Sequence, residues 1–189
     1  VFGLAIAPDG SLLATDAGAG IFEIRRDGFS QVAQLPGVTA VSPIGRGDMF
    51  AITSRDFGGE GKLYRVSRGS TREIADLFAF VLRVNPDGNP VAAPPAPGPS
   101  NPFDVEALSG GQVPVADAAG NSLLIVDQKG DVDWIATLPN EVVSSANVKA
   151  ILGSPASPSP LCNLPAQAPA QAVATSVAVG PDGAYYMGE

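Results

Sequence analysis

Apolar residues along this chain fall in short runs separated by glycine turns, and polar positions alternate through many of those runs. The first copy of the pattern runs from about Gly3 to Leu35. It predicts strands at Leu4–Ala7, Leu12–Thr15, Ile21–Arg25 and Phe29–Gln34, with turns at Pro8-Asp9-Gly10 and Asp27-Gly28. Asp-Gly between apolar runs signals a hairpin, because glycine accepts the positive φ that a tight turn demands. The same grammar returns. Val38–Leu77 is a degenerate second copy, with a turn at Gly45-Arg46-Gly47-Asp48 and strands at Lys62–Ser67 and Arg72–Ala75. Phe103–Leu138 is the best-preserved copy, with strands at Val105–Leu108, Val113–Ala116, Ser122–Asp127 and Val132–Thr137. A half copy, Thr175–Val179 and Ala184–Gly188, closes the sequence.

Tandem sets of four short antiparallel strands predict an all-β fold, a β-propeller of four-stranded blades, with about three and a half blades in the chain. Pro114 sits inside a strand that should be internal, where proline donates no ladder hydrogen bond, so a bulge is expected there. The whole chain, 1–189, reads as one propeller domain, and both ends read as cut within the pattern. Two excursions interrupt it, at about 78–101 and 140–174. Both are rich in Pro, Ala and Ser and read as extended loops, with helical turns expected at Leu77–Val84 and within the segment from Asn140 to Leu152. They stand as surface insertions, as a binding flap, or as sugar attachment sites at Ser154, Ser157 and Ser159.

Composition changes this picture mainly by exclusion. The chain has 189 residues, no histidine and one cysteine, Cys162. Without histidine there is no Ser-His-Asp triad, no histidine acid–base catalysis and no ordinary zinc site. A single cysteine excludes an intrachain disulfide and leaves Cys162 as a free, buried or interchain-bonded thiol. The net charge is −8, the arginines are scattered, and no basic stripe carries interleaved aromatics, so nucleic acid is not an expected partner. No apolar stretch reaches the roughly 20 residues of a membrane helix.

A four-stranded meander sends the loop after its second strand, and the connector to the next blade, to one end of the propeller. Both excursions therefore share that end with Asp16, Asp117 and Glu189, which close equivalent second strands. This end is the expected ligand-binding face, with Asn101 and Asp104 at the entrance to an innermost strand. Two readings stand for the acidic positions. The aspartates accept N–H bonds from their own loops in Asx-turns, or Asp16, Asp117 and Glu189 form a carboxylate ring suited to Ca²⁺, which takes about six to eight oxygens. Trp134 reads as core, Tyr185 and Tyr186 face opposite ways, and Arg25, Arg26, Arg65 and Arg68 read as solvated edges. Asp16–Gly20 and Asp117–Asn121 follow strands without opening helices and are not phosphate loops.

Val113–Val132 resembles an NHL repeat in its order of strand, Ala-Asp, small loop with Asn, strand and Asp-x-x-Gly. Ser100–Val132 together with Thr175–Glu189 is similar to the ScyD/ScyE family, named for the cyanobacterial scytonemin gene cluster. That resemblance implies a propeller of about six blades, export from the cytoplasm, and no catalytic mechanism common to the family. The expected function is a non-catalytic extracellular or periplasmic binding or scaffold module with a protein or polysaccharide partner, and no cofactor. A partner that completes the ring or bonds to Cys162 is a further expectation. Two alternatives are a Ca²⁺-dependent lactonase- or lyase-like propeller enzyme using channel carboxylates, and an accessory factor in pigment or secondary-metabolite assembly.

Overall fold

The computed structural model describes residues 1–45, 47–90, 98–152 and 160–189. Its described strands form three four-stranded antiparallel meanders and two two-stranded sheets. Blade 1 comprises β1 (Leu4–Ile6), β2 (Leu12–Asp16), β3 (Gly20–Arg25) and β4 (Gly28–Ala33). Blade 2 comprises β5 (Val38–Pro43), β6 (Met49–Thr53), β7 (Lys62–Ser67) and β8 (Ser70–Asp76). Blade 3 comprises β9 (Pro102–Val105), β10 (Val113–Asp117), β11 (Ser122–Val126) and β12 (Val132–Thr137). The excursion after blade 3 holds the hairpin of β13 (Glu141–Ser144) and β14 (Gln167–Ala170), and β15 (Ser176–Val179) pairs with β16 (Tyr185–Gly188).

The innermost strands lie side by side, β5 between β1 and β9, and β9 against β15. This is the radial order expected of a propeller. Each pair of neighbouring blades shares its own apolar core. Leu13, Ile21, Val41 and Met49 fill the junction of blades 1 and 2. Ile52, Leu63, Val113 and Leu124 fill that of blades 2 and 3, and Ala116, Leu123 and Val177 fill the third. Blade 2 is covered on both faces, so β6 is buried at every position instead of alternating. The outer strands β4 and β12 are largely exposed.

One irregularity recurs in every complete blade. The register between the third and fourth strands shifts at Ile21/Phe22, Leu63/Tyr64 and Leu123/Leu124. The extra residues are Val32, Ile74 and Ile135, and each begins the same tetrad: Val32-Ala33-Gln34-Leu35, Ile74-Ala75-Asp76-Leu77 and Ile135-Ala136-Thr137-Leu138. A bulge bends and twists the outer strand. It also delivers the tetrad's leucine into or against the core of the next junction: Leu35, Leu77 and Leu138 in turn.

The expected bulge at Pro114 is absent. Pro114 stays in register opposite Ile125, and the shift between β9 and β10 falls at Ala116/Asp117. The Glu106 N–H donates to the Pro114 carbonyl at 3.1 Å, so the missing proline N–H would have pointed at Glu106. One bond of that pair is lost, and for this reason β9 ends at Val105 and does not occupy Val105–Leu108. The Leu108 N–H still reaches the Gln112 carbonyl at 3.0 Å, which closes the turn. The expected helical turn at Leu77–Val84 is helix α1, capped by the Asp76 side chain on the Ala79 N–H at 2.8 Å, with Leu77, Phe80 and Val81 buried. In the second excursion Ser145–Leu152 is helical (α2), and Glu141–Ser144 is strand because it pairs with Gln167–Ala170.

Among the described residues the innermost strands do not hydrogen-bond to one another through their backbones, and side chains from these and the second strands bridge the blades. Thr15 donates through Oγ1 to the Thr39 carbonyl at 2.9 Å, and Thr39 donates to the Pro102 carbonyl at 2.9 Å. Thr39 is buried, so Thr39→Val should strand the Pro102 carbonyl and destabilise the fold by about 1–3 kcal/mol. Urea unfolding of both proteins tests this, and an unchanged midpoint would refute the bridging role.

Candidate functional site at the axial channel

The loop-bearing end of the channel is built from three blades. Ser54 ends the stretch after β6, and its Oγ accepts the Asp56 N–H at 3.2 Å, starting a single 3₁₀ turn at Arg55–Phe57. Gly58 stops the turn at a φ of 85°, a left-handed conformation that glycine adopts without a Cβ clash. This places Phe57 beside Phe2, which precedes β1, and Phe103, in β9. The ring centroids of Phe2 and Phe57 are 4.4 Å apart, and Phe103 lies 6.3 Å from Phe2 and 6.4 Å from Phe57. Such tilted and edge-on contacts are favoured aromatic geometries. Phe2 remains 43% exposed.

Asn101 immediately precedes β9. Its Oδ1 accepts from Ser54 Oγ at 2.6 Å, its N–H donates to Asp117 Oδ1 at 2.9 Å, and its carbonyl accepts from the Ala118 N–H. Asp117 is fully buried and also accepts from Ser100 Oγ and the Gly120 N–H. Burial pushes its carboxyl up, and these hydrogen bonds act in the opposite direction. Asp16, at the equivalent place in blade 1, accepts the Gly18 and Ala19 N–H groups at 3.0 Å, and Thr53 takes the place in blade 2, accepting from Glu60 and Lys62. The position therefore organises the loop into strand three in each complete blade. Glu189, next to β16, is exposed. Among the described residues no three His, Cys, Asp or Glu side chains converge as a metal site.

Further along the axis, β1, β5 and β9 border a cavity of about 450 Å³ whose wall includes Leu4, Ile6, Val41, Ser42, Asp104 and Glu106. Asp104 bridges blades: its Oδ2 accepts the Val177 N–H at 2.9 Å, and its Oδ1 accepts the Val105 N–H. Burial raises its carboxyl above the usual range, against those two bonds. Glu106, just past the end of β9, lines the same cavity. Glu106 is raised by burial and then by the nearby negative charge of Asp104. Asp104 was legible as a loop-end acid, whereas Glu106 and the phenylalanines were not. Phe2 and Glu106 flank innermost strands, Phe103 lies within one, and Phe57 follows a second strand, so no shared sequence signal marks them.

At the opposite, Pro-Asp-Gly end, blades 1 and 2 enclose a cavity of about 530 Å³ floored by Leu13 and Met49. Its acids are committed: Arg25 pairs with Asp9 at 2.6 Å and Glu23 at 2.8 Å, and Arg65 pairs with Asp48 at 2.6 Å. Arg25 and Arg65 thus hold ion pairs where solvated edges were expected. Trp134, expected as core, is 44% exposed and contacts Phe80 at 6.4 Å. Ser154, Ser157 and Ser159 lie outside the described residues, and Cys162 is exposed in the turn Pro160–Asn163.

No family model matches this chain, and no curated protein matches it. Solved structures do. Virginiamycin B lyase from Staphylococcus aureus, as a catalytically inactive histidine-to-alanine variant with quinupristin, superposes with a TM-score of 0.56 at 13% identity, over 98% of this chain and 47% of that one. A protein described as a putative oxidoreductase (glucose dehydrogenase) from Thermus thermophilus superposes with a TM-score of 0.54 at 15% identity, over 98% of this chain and 56% of that one. Identities this low establish the fold alone. The chain is a β-propeller protein, and it spans about half the length of the propellers it matches.

Glu106 supplies a pH test. Its folded pKa lies above its ordinary value of 4.5, so its favourable contribution is complete below 4.5 and is lost as pH rises through the raised value. Glu106→Gln should therefore melt close to the native protein near about pH 4 and above it near about pH 8. Melting curves that run parallel between the two would refute the shift.

Proposed function

We propose that this chain is a non-catalytic binding or scaffold propeller that works outside the cytoplasm and takes its partner at the loop-bearing end of the axial channel. The observation that carries this reading is the meeting of Phe2, Phe57 and Phe103 from three blades around the channel mouth, with Phe2 half-exposed. Exposed aromatic faces suit sugar rings, which stack on them through their C–H faces. The partner class is a polysaccharide of a matrix or wall. The absence of histidine and the low lysine content fit such a role, as does the resemblance to NHL repeats and the ScyD/ScyE family. That family likeness also accommodates an accessory role in pigment assembly through the same binding face.

A second reading rests on Asp104 and Glu106. Two carboxyls raised by burial in one channel could move a proton, in the manner of a lactonase- or lyase-type propeller aided by Ca²⁺. The lyase that superposes on this chain is inactive when a histidine is replaced, and these 189 residues contain none. Asp104 also spends both oxygens on backbone N–H groups, which favours a binding role over an enzymatic one.

Affinity electrophoresis in gels cast with soluble polysaccharides tests the main reading. Migration should slow in at least one gel, and Phe2→Ala should weaken that retention about three- to tenfold without changing the melting temperature. Unretarded migration in every gel would overturn the polysaccharide assignment.

A further inference from the structure

Blades 1 and 2 leave a cleft at their Pro-Asp-Gly end, and strand register explains why. The turn into β2 closes with the Ala7 N–H on the Ser11 carbonyl at 2.9 Å. The turn into β6 closes with the Ile44 N–H on the Asp48 carbonyl, also at 2.9 Å, so Ala7 and Ile44 hold equivalent places. Counted from the shift between third and fourth strands, Glu23 matches Arg65; Leu13 lies opposite Glu23 and Phe50 opposite Arg65. Val32 and Ile74 are the bulged residues of their blades. Ile44, Phe50 and Ile74 pack into the junction of blades 2 and 3. At the junction of blades 1 and 2 the same three places hold Ala7, Leu13 and Val32. Every one is smaller. The carbon atoms missing here leave the cavity of about 530 Å³ between two four-stranded sheets.

The chemistry of this cavity is divided between wall and rim. Ala7, Leu13, Val32 and Met49 make its inner wall apolar. The carboxylates at its rim are already engaged. Ser11 Oγ lies 2.8 Å from both Asp9 and Glu23, which also share Arg25, and Arg65 holds Asp48. These hydrogen bonds hold all three carboxyls below their ordinary values, so they are ionised and occupied at neutral pH. Arg68 differs. It lies in the turn after β7, is exposed at the same rim, and makes no ion pair among the described residues. An apolar wall with one uncommitted guanidinium at its mouth complements an apolar molecule that ends in a carboxylate.

We propose that this cleft binds a small organic acid, with its alkyl or aryl body against Leu13, Val32 and Met49 and its carboxylate on the Arg68 guanidinium. Its volume falls within the range of about 300–1,000 Å³ usual for small-ligand sites. The body displaces water from apolar wall, and the guanidinium selects an anion over a neutral head group. The site lies at the opposite end of the propeller from the phenylalanine cluster, so it stands whether or not that cluster takes a polysaccharide.

Octanoate is the probe, with octan-1-ol as its uncharged counterpart, and amide NMR titration of the full 189-residue chain is the measurement. Octanoate should bind saturably with a dissociation constant near or below about 1 mM. The perturbed amides should centre on Ala7, Val32, Gly45 and Gly47, which border the cleft. Arg68→Gln, at an exposed turn, should weaken octanoate about three- to tenfold and leave octan-1-ol unchanged. Ala7→Ile installs the residue that blade 2 carries at the same place; it should abolish binding of both probes and melt no lower than the native protein. No saturable octanoate binding at millimolar concentration would overturn the proposal, as would perturbations centred elsewhere. So would an Arg68→Gln variant that binds octanoate as tightly as the native chain, or a folded Ala7→Ile variant that still binds it. If Ala7→Ile does not fold, the contrast between the two probes at Arg68→Gln decides.

Discussion

The innermost strands of this propeller are edges that must be satisfied without pairing to one another. Each presents backbone groups toward a neighbour that runs alongside but belongs to another sheet, and unpaired buried backbone is costly. The chain meets this constraint with a few short side chains. Thr15 reaches the Thr39 carbonyl, Thr39 reaches the Pro102 carbonyl, and Asp104 accepts the Val177 N–H. Ser42 accepts the Ala107 N–H from the next blade. Close approach accompanies these bridges: a side chain on Gly3 would fall 2.7 Å from the Thr39 carbonyl oxygen. The blades can converge on the axis because small and hydroxyl-bearing residues occupy the positions nearest to it.

Function follows from the same geometry. Packing edges around an axis leaves a channel, and whatever side chains are not needed as bridges line it. Acids that could have served chemistry are drawn into structural work. Asp16 and Asp117 hold loops, and Asp104 links blade 3 to the β15–β16 sheet. Three phenylalanines are left at the channel mouth and Glu106 in its wall.

Much of the architecture was legible in the strand grammar, and specific residues show where legibility stopped. Hairpins at Pro8-Asp9-Gly10 and Asp27-Gly28 announced themselves through turn chemistry. The tetrads beginning Val32, Ile74 and Ile135 were equally present as letters, yet their meaning is a bulge shared by three blades, and a bulge is a relation between two strands. Glu141–Ser144 carried no strand signal strong enough to overrule its helical neighbours. It is strand only because Gln167–Ala170, more than twenty residues later, lies beside it.

Local rules acting over a few residues were enough to establish the class: alternating apolar runs, glycine turns and their repetition at blade length require tandem antiparallel sheets. Which residues meet was decided by folding alone. Phe2, Phe57 and Phe103 are separated by about fifty residues each and share a surface only because three sheets point their first strands at one axis. Burial acts in the same way, since Leu4 and Val105 read alike in sequence and differ only in whether a blade lies in front of them. Exposure, and the carboxyl shifts that depend on it, belong to neighbours distant in the chain.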